Sequence, residues 1–583
     1  MYSFSREGKR ALTRALHTST KCLKAGNGLL SAGKKFHFRE KNRSAGNKRS
    51  AHIFSAATAT VGIAALLYSQ QRIQNDSKNK NKQKKEEEVV RIVPVAEFIK
   101  HNKPDDCWIA IDGEVYDFSD FIPNHPGGKT PLIDYAGYDA SGLFHLIHPK
   151  DTLQNYLPPD KHIGRLNGEA PAHPVTDIHE VQRRLYLKNL PPLCHLQNLD
   201  DFEYLAQKIL PTQAWAYYSC GAGDEITMRE NHYAFQRIFF RPKVCVDVSD
   251  VDSSTTLLGT KTEVPFYISA TARARMGHPD GELALARGAG KEGVIQMIST
   301  RSSYSLAEIA KARPKGATQW FQLYVNEDHE VMKKMIREAE DLGMKALFVT
   351  VDAPVVNKRE KNIRAKQQAF GATTRDSGQP TVFTDSTLEW NDIRNIVNFT
   401  KLPVMLKGVQ RTEDIVHAAD AGCRGVVLSN HGGRELDFSP PPIQVLAESV
   451  PLINRMEGVH PGFEIFLDGG VRRGADILKA VALGDGKVKV GVGIGRPFLY
   501  ANSAYGEDGV RKCIQILKNE IETDMRLLGV TKMSQLNANF VDTRRLLGYN
   551  ATDLLYDNLY QPMQPIKFKN ELRQARKAAQ KAK

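Results

Sequence analysis

Between residues 264 and 496 the chain alternates short apolar, β-branched runs with amphipathic stretches, and this alternation restricts the fold more than any other feature. Strand-like runs lie at 264–270, 294–300, 318–325, 346–352, 402–409, 425–431, 464–470 and 490–496. Between most of them sit stretches of helical spacing, such as 330–343, 412–422 and 474–484, closed by Gly343, Gly422 and Gly484. Eight successive strand–helix units predict an α/β fold of the TIM (β/α)8 barrel type, in which catalytic groups stand at the carboxyl ends of the strands.

The polar residues follow that rule. Gln322 and Tyr324, Thr350 and Asp352, Lys407, His431 and Arg434, Asp468 and Arg472, and Gly495 with Arg496 each close a different run. Core packing alone does not place charges at so many strand ends. His431 and Arg434 leave one strand together in a glycine-rich turn. A histidine takes a proton near neutral pH and a guanidinium grips a carboxylate through two parallel hydrogen bonds, so the pair suits proton abstraction from a small carboxylic acid. An ordinary loop histidine beside a solvated arginine would look the same in isolation. The last two ends, Asp468-Gly469-Gly470-Val471-Arg472 and Gly493-Ile494-Gly495-Arg496, offer close backbone approach, free amides and arginine charge. Barrels of this kind commonly hold a phosphate there, which predicts a phosphorylated cofactor.

Residues 196–560 resemble the FMN-dependent L-2-hydroxy acid oxidase and dehydrogenase family. The motifs that carry the resemblance are Trp215-Ala216-Tyr217-Tyr218-Ser219-Cys220-Gly221-Ala222, Gln322-Leu323-Tyr324, Thr350-Val351-Asp352, Leu406-Lys407-Gly408-Val409, Ser429-Asn430-His431-Gly432-Gly433-Arg434 and Asp468-Gly469-Gly470-Val471-Arg472-Arg473-Gly474. The resemblance implies that His431 is the base, that Asp352 stabilises its imidazolium, and that Tyr324 bonds the substrate hydroxyl. It also implies that Arg434 and Tyr217 clamp the substrate carboxylate, with Arg359 a further substrate-binding residue. By the same resemblance Ser299, Gln322, Thr350 and Lys407 hold the flavin ring, and Lys407 gives the reduced ring a fixed positive charge. The Ala270-Thr271-Ala272 backbone lies along the ring, while Asp468, Gly469, Gly470, Arg472, Gly495 and Arg496 bind the phosphate side.

Upstream, residues 106–117 alternate apolar and polar residues like two half-buried strands around a turn at Asp112-Gly113. Asn124-His125-Pro126-Gly127-Gly128 follows, with His148 placed 23 residues after His125. A segment this short forms a poor apolar core of its own, so a flat cofactor gripped between two histidines would help to hold it together. Residues 91–167 resemble the cytochrome b5 fold, which implies a small α+β domain with His125 and a second histidine as axial ligands of haem b. His145 competes with His148; by the resemblance, the distance from His125 and the position before Pro149 favour His148.

A haem domain joined to an FMN barrel resembles the flavocytochrome b2 family. This implies oxidation of L-lactate to pyruvate, with electrons passing from FMN to haem b to cytochrome c, in a homotetramer of the mitochondrial intermembrane space. Residues 168–195, with Pro171, Pro174, Pro191 and Pro192, read as a hinge, and residues 561–583 as a basic tail.

Charge divides along the same lines. Residues 1–90 hold 19 Lys or Arg against 6 acids and residues 561–583 hold 7 against 1, so the overall +14 leaves residues 91–560 at −5. The basic character belongs to the ends and does not argue for nucleic-acid binding; a mildly acidic body suits a basic redox partner such as cytochrome c. The first 50 residues carry 13 basic residues and only Glu7 and Glu40 as acids, the pattern of a mitochondrial presequence. The 16-residue apolar run 53–68 is short for a span and reads as a sorting signal that is then removed, with retention as an anchor the alternative. Contact with a membrane is thus expected only through the presequence. The seven cysteines have no Cys-x-x-Cys spacing and give no metal or disulfide framework.

Two residues depart from the family pattern. Arg301 stands after Ser299-Thr300, where lactate-specific relatives place an apolar residue, and Arg273 is unusual after Ala272. A pocket arginine favours a larger or acidic L-2-hydroxy acid, whereas an arginine turned to solvent or to the haem domain leaves lactate as the substrate. The segment 361–386 reads as a polar loop covering the site. Two other classes compete with the dehydrogenase: an oxygen-using 2-hydroxy acid oxidase, and a non-catalytic haem carrier. A carrier has no need of Tyr217, Tyr324, Asp352, Lys407, His431 and Arg434 together.

Overall fold

The computed structural model describes residues 91–125, 129–149, 151–171, 180–370, 384–454, 462–546 and 548. The chain divides into two units, Met1–Glu88 and Val89–Lys583. The segments read as a presequence, an apolar sorting signal and a basic tail lie outside the described residues.

The amino-terminal part of the second unit is built on a five-stranded sheet. Ile92–Pro94 pairs parallel with His162–Asn167, which is followed across the sheet by Glu114–Asp117, Asp106–Ile111 and Asn102–Lys103. The expected turn is present: Asp112 (φ 55°) and Gly113 (φ 80°) are both left-handed, the conformation a two-residue hairpin requires. The expected half-burial is not. Every residue from Cys107 to Ile111 is buried, because the sheet is covered on both faces. Cys107, Ile109 and Ile111 pack with Phe118, Ile122 and Leu132, while Trp108 and Ala110 pack with Val93, Phe98 and Leu166. The helices Thr130–Asp134, Ser141–Ile147 and Thr152–Tyr156 complete this part.

The remainder closes as a barrel of eight parallel strands: Phe266–Ile268, Ile295–Ser299, Gln319–Tyr324, Leu347–Thr350, Val404–Val409, Gly425–Leu428, Glu464–Asp468 and Lys489–Ile494. All eight expected runs form strands. Their side chains alternate between an inner filling and an outer shell under the helices. Inside, the Trp320 ring lies 5.2 Å from Tyr267, 5.1 Å from Phe348 and 5.7 Å from Phe466. Gly491 makes room for this cluster, since a Cβ there would come within 2.8 Å of the Phe466 ring. The hairpin Thr255–Leu257/Thr260–Thr262 sits at the amino-terminal end, where Glu464 accepts a hydrogen bond from the Leu258 amide at 3.0 Å. The opposite end is thereby left for the site.

Glycines close helices as expected in two cases: Gly343 (φ 75°) and Gly422 (φ 84°) follow His329–Asp341 and Thr412–Asp420 in the left-handed conformation. Gly484 caps Gly474–Leu483 with ordinary helical angles. Residues 361–370 of the expected loop belong instead to the helix Glu360–Phe370, whose Ala365 is buried. Within the segment read as a hinge, Glu180–Lys188 is helical and packs on Leu199–Ile209, where Arg183 donates to the Ile209 carbonyl at 3.2 Å.

Because Trp320 is wholly buried at the centre of the inner cluster, Trp320→Ala should destabilise the barrel by about 3–5 kcal/mol. Denaturant unfolding followed by circular dichroism measures this.

Candidate active site and histidine crevice

His431 stands just beyond the sixth strand with φ 61°, an unfavourable angle for a residue with a Cβ, and its amide is held by Ser429 Oγ at 3.0 Å. The imidazole is gripped at both ends: Nδ1 lies 3.0 Å from Asp352 Oδ1, and Nε2 lies 3.1 Å from Tyr324 Oη. The carboxylate fixes the tautomer: Nδ1–H donates to Asp352 and leaves the Nε2 lone pair facing the cleft. Burial pushes the Asp352 carboxyl upward, but the charges of His431 and Lys407 and the hydrogen bond from His431 outweigh it and hold it below the usual range. Burial likewise raises the Tyr324 phenol against the opposing charges of Arg301 and Lys407, so it stays protonated. Gly408 makes room for this arrangement. Its φ is 111°, and a Cβ there would lie 2.5 Å from Asp352 Cβ and Cγ.

Lys407 is buried at the end of the fifth strand. It donates to Ser429 Oγ at 3.2 Å and lies 3.6 Å from Asp468 Oδ2, while Ser429 donates to Asp468 Oδ1 at 2.6 Å. Burial lowers its pKa, but Asp468 and Asp352 more than reverse the effect, so the ammonium is a permanent charge.

Arg434 Nη1 donates to the Tyr217 and Cys220 carbonyls at 2.8 and 3.0 Å, and its guanidinium lies 5.0 Å from the centre of the Tyr217 ring. Arg359 donates to the Arg434 carbonyl at 3.0 Å and pairs with Glu435. Tyr217 is half-buried, and its burial raises its pKa; Arg273, Arg434, Arg359 and Arg301 together outweigh this and lower it. The potential in this part of the cleft is strongly positive.

A ladder of side chains crosses the neighbouring strands, with Ser299 donating to Gln322 at 3.0 Å and Gln322 to Thr350 at 2.7 Å. It ends in hydrogen-bonding groups suited to the edge of a heteroaromatic ring. Ala270, Thr271 and Ala272 line the same cleft, which encloses about 1190 Å³ of atom-free space including its open mouth. Gly469 (φ 93°) and Gly470 (φ 80°) turn tightly beside it, and a Cβ on Gly470 would strike the Asn231 carbonyl at 2.1 Å. Gly495 and Arg496 line the wall with Asp468 and Arg472. Arg472 pairs with Glu203 at 3.1 Å. Arg496 is committed to the carbonyls of Tyr218, Gly432 and Cys220, each at 2.9 Å, so it braces two loops and keeps only part of its donor set for a ligand. Burial and the charges of Arg434 and Arg472 lower its pKa. A half-buried cluster of like charges beside a glycine turn fits a phosphate dianion, and with the ladder it fits FMN.

The second constellation lies against the five-stranded sheet. The His125 and His148 rings face one another with centroids 6.2 Å apart, between Phe121 and Phe144. Two imidazoles on one metal, with nitrogen–metal bonds of about 2 Å each, need their centroids roughly 6 Å apart, so the pair fits bis-histidine haem. Burial, then the charges of Arg273 and His125, push the His148 imidazole down to about 3, which keeps it in the neutral, ligating form. His145 turns elsewhere, to both Asp112 carboxylate oxygens at 2.8 Å. The helix Ser141–Ile147 packs on the turn Ala274–Met276, which brings the crevice beside the cleft mouth.

Several participants have no role assigned from the sequence motifs. Ser429 links Lys407, Asp468 and the His431 amide, and its place two residues before the histidine was the available signal. Glu435, the partner of Arg359, and the reciprocal amide pair Asn231–Asn430, with both bonds at 2.8 Å, gave no local signal because their partners lie far away in sequence.

Residues 206–543 match the family model described as FMN-dependent dehydrogenase, and residues 94–167 match that of the cytochrome b5-like haem/steroid binding domain. The chain is 50% identical to the L-lactate dehydrogenase (cytochrome) of Wickerhamomyces anomalus, over 81% of this chain and 84% of that protein. It is 43% identical to the enzyme of the same name from Saccharomyces cerevisiae, over 96% and 97% respectively. The solved flavin-binding domain of baker's yeast flavocytochrome b2 superposes with a TM-score of 0.61 at 48% identity, covering 68% of this chain and 99% of that domain.

Replacing His148 by Ala should abolish the paired-histidine haem absorption bands while flavin content is retained; His145→Ala should leave those bands in place. Absorption spectra of the two purified variants decide between the histidines.

Proposed function

This chain belongs to the FMN-dependent dehydrogenase family and carries a cytochrome b5-like domain, and from that premise we propose that it oxidises an L-2-hydroxy acid, L-lactate to pyruvate, and passes the electrons to cytochrome c. The observation that carries the proposal is the line Asp352···His431···Tyr324 at the mouth of a cleft that fits FMN, beside a histidine pair that fits haem b.

Bound FMN supplies the two-electron acceptor and haem b the one-electron relay. The protein's task is to bind, orient and deprotonate. Arg434 presents a guanidinium without an acidic partner among the described residues, and with Tyr217 it clamps the substrate carboxylate. Arg359, tied to Glu435 and to the Arg434 carbonyl, holds that clamp in place and adds charge. The Tyr324 phenol bonds the substrate hydroxyl. Fixed at carboxylate and hydroxyl, the substrate can present C2 and its oxygen to His431 Nε2 in one orientation only. His431 takes up a proton as C–H and O–H become C=O, and Asp352, ionised and buried beside Nδ1, stabilises the imidazolium. Lys407 keeps a permanent charge for the negative charge that develops on the cofactor side. Asp468 steadies Lys407, the Ser299–Gln322–Thr350 ladder and the Ala270–Ala272 backbone receive the ring, and Gly469, Gly470, Arg472, Gly495 and Arg496 receive the phosphate. His125 and His148 are the haem ligands.

The wider reading includes residues 91–167 as the haem domain, 168–195 as the hinge and 196–560 as the barrel. It also includes a homotetramer in the mitochondrial intermembrane space, addressed there by residues 1–90, with 561–583 as a tail. No helix among the described residues is long and apolar enough to cross a membrane.

Removing the base while keeping a polar side chain of similar reach tests the assignment. His431→Gln should lower the rate of flavin bleaching by L-lactate about 10²- to 10⁴-fold with flavin content unchanged. A rate within a few-fold of the parent in oxygen-free rapid mixing would remove His431 from the mechanism.

A further inference from the structure

The proposed chemistry assigns an anion to each cation of the cleft except Arg301. Lys407 is paired with Asp468, Arg359 with Glu435 and Arg472 with Glu203. Arg434 and Arg496 have no acidic partner among the described residues, and the substrate carboxylate and the cofactor phosphate supply theirs. Arg273 is not part of the cleft lining: its guanidinium lies 5.4 Å from the centre of the Tyr217 ring and within electrostatic reach of His148. Arg301 lines the cleft, is half-buried and has no acidic partner among the described residues.

Nor does Arg301 swing free. Its amide is tied to Ser299 Oγ at 3.2 Å, Nη2 donates to the buried hydroxyl of Thr384 at 2.9 Å, and the guanidinium stacks 4.3 Å from the centre of the Tyr324 ring. Tyr324 is the residue whose hydroxyl meets His431 and, in the proposed function, the substrate hydroxyl. A guanidinium fixed on that ring is within reach of a group borne a carbon or two beyond C2. A methyl group there would leave a partly desolvated cation without a counter-ion, whereas a second carboxylate would provide one through a charge-assisted hydrogen bond. The lowered pKa of Tyr217, to which Arg301 contributes, agrees with a cleft holding more positive charge than one substrate carboxylate neutralises.

We propose that Arg301, fixed by Thr384 and the Tyr324 ring, forms a second anion subsite, and that the protein therefore oxidises L-2-hydroxy dicarboxylates of malate or 2-hydroxyglutarate type in addition to L-lactate. The inference rests on the proposed function and deepens it. The chemistry at C2 is unchanged: one C–H and one O–H bond break and the carbonyl forms, two electrons and one proton pass to the cofactor, the other proton passes to His431, and the distal carboxylate remains intact.

The test measures kcat/KM for L-malate, L-2-hydroxyglutarate and L-lactate with cytochrome c as acceptor, in the parent holoenzyme and in Arg301→Leu, Arg301→Gln and Arg301→Lys. In the parent, one dicarboxylate should match or exceed L-lactate. The ratio of that dicarboxylate's kcat/KM to that of L-lactate should fall about 100-fold in Arg301→Leu and Arg301→Gln, the loss expected for one charge-assisted hydrogen bond, and recover largely in Arg301→Lys. Gln preserves a donor toward Thr384, so a folding defect in the Leu variant leaves the test intact. A ratio that stays the same in all three variants, or a parent that ignores both dicarboxylates while oxidising L-lactate, overturns the subsite and leaves the proposed function standing. If no hydroxy acid is oxidised, the proposed function fails and calorimetry with 2-oxoglutarate judges the subsite separately. Binding weakened by Arg301→Gln supports it, and absence of binding rejects it.

Discussion

The buried carboxylate of Asp352 against His431 is the interaction on which the rest of this structure depends. An ionised carboxylate removed from water is costly unless it is paired and hydrogen-bonded. Here the surroundings supply both: Nδ1 of His431 at 3.0 Å, the charge of Lys407 from the adjoining strand, and a glycine at 408 where any side chain would collide with it. Lys407 is in turn held by Ser429 and Asp468, and Ser429 also fixes the His431 amide. Consecutive strands of a closed barrel thus converge on one imidazole. A less rigid scaffold would leave its tautomer and its direction open.

Around that centre the cleft is organised by positive charge. The cations stand at different places: Lys407 at the end of the fifth strand beside Asp468, Arg434 beside Tyr217, and Arg472 and Arg496 at the glycine turns. Burial and the neighbouring arginines lower the pKa of Arg496, and the same positive field lowers the phenol of half-buried Tyr217 against the effect of burial. Arg273 and the helix Ser141–Ile147 bring the histidine crevice to the edge of the same field, so the region that gathers electrons adjoins the region that passes them on.

Much of this was legible in the sequence because it is locally encoded. The eight strands are short β-branched runs, the Asp112-Gly113 turn has a two-residue signature, and the polar residues that close the strands are the ones that meet in the cleft. What was not legible depends on elements distant along the chain. Burial of both faces of 107–111 requires knowing that Trp108 and Ala110 meet Val93, Phe98 and Leu166 from either end of the domain. Glu435 as the partner of Arg359, and the use of Arg496 as a brace between 218–220 and 432, depend on loops brought together only by barrel closure. Residues 361–370 look loop-like because they are polar, yet the burial of Ala365 and the packing of this helix on Thr212–Ser219 supply what the local pattern lacks. His145 and His148 differ by three positions, yet His145 turns to the Asp112 carboxylate while His148 faces His125.

The central claim is that one protein removes two electrons from a hydroxy acid in the barrel and relays them singly through the histidine crevice. Oxygen-free rapid mixing with L-lactate, recording flavin and haem absorbance together, tests it most directly. The account predicts flavin bleaching followed by haem reduction in the same molecules. Flavin bleaching with haem that stays oxidised until air is admitted would contradict it and identify an oxidase instead.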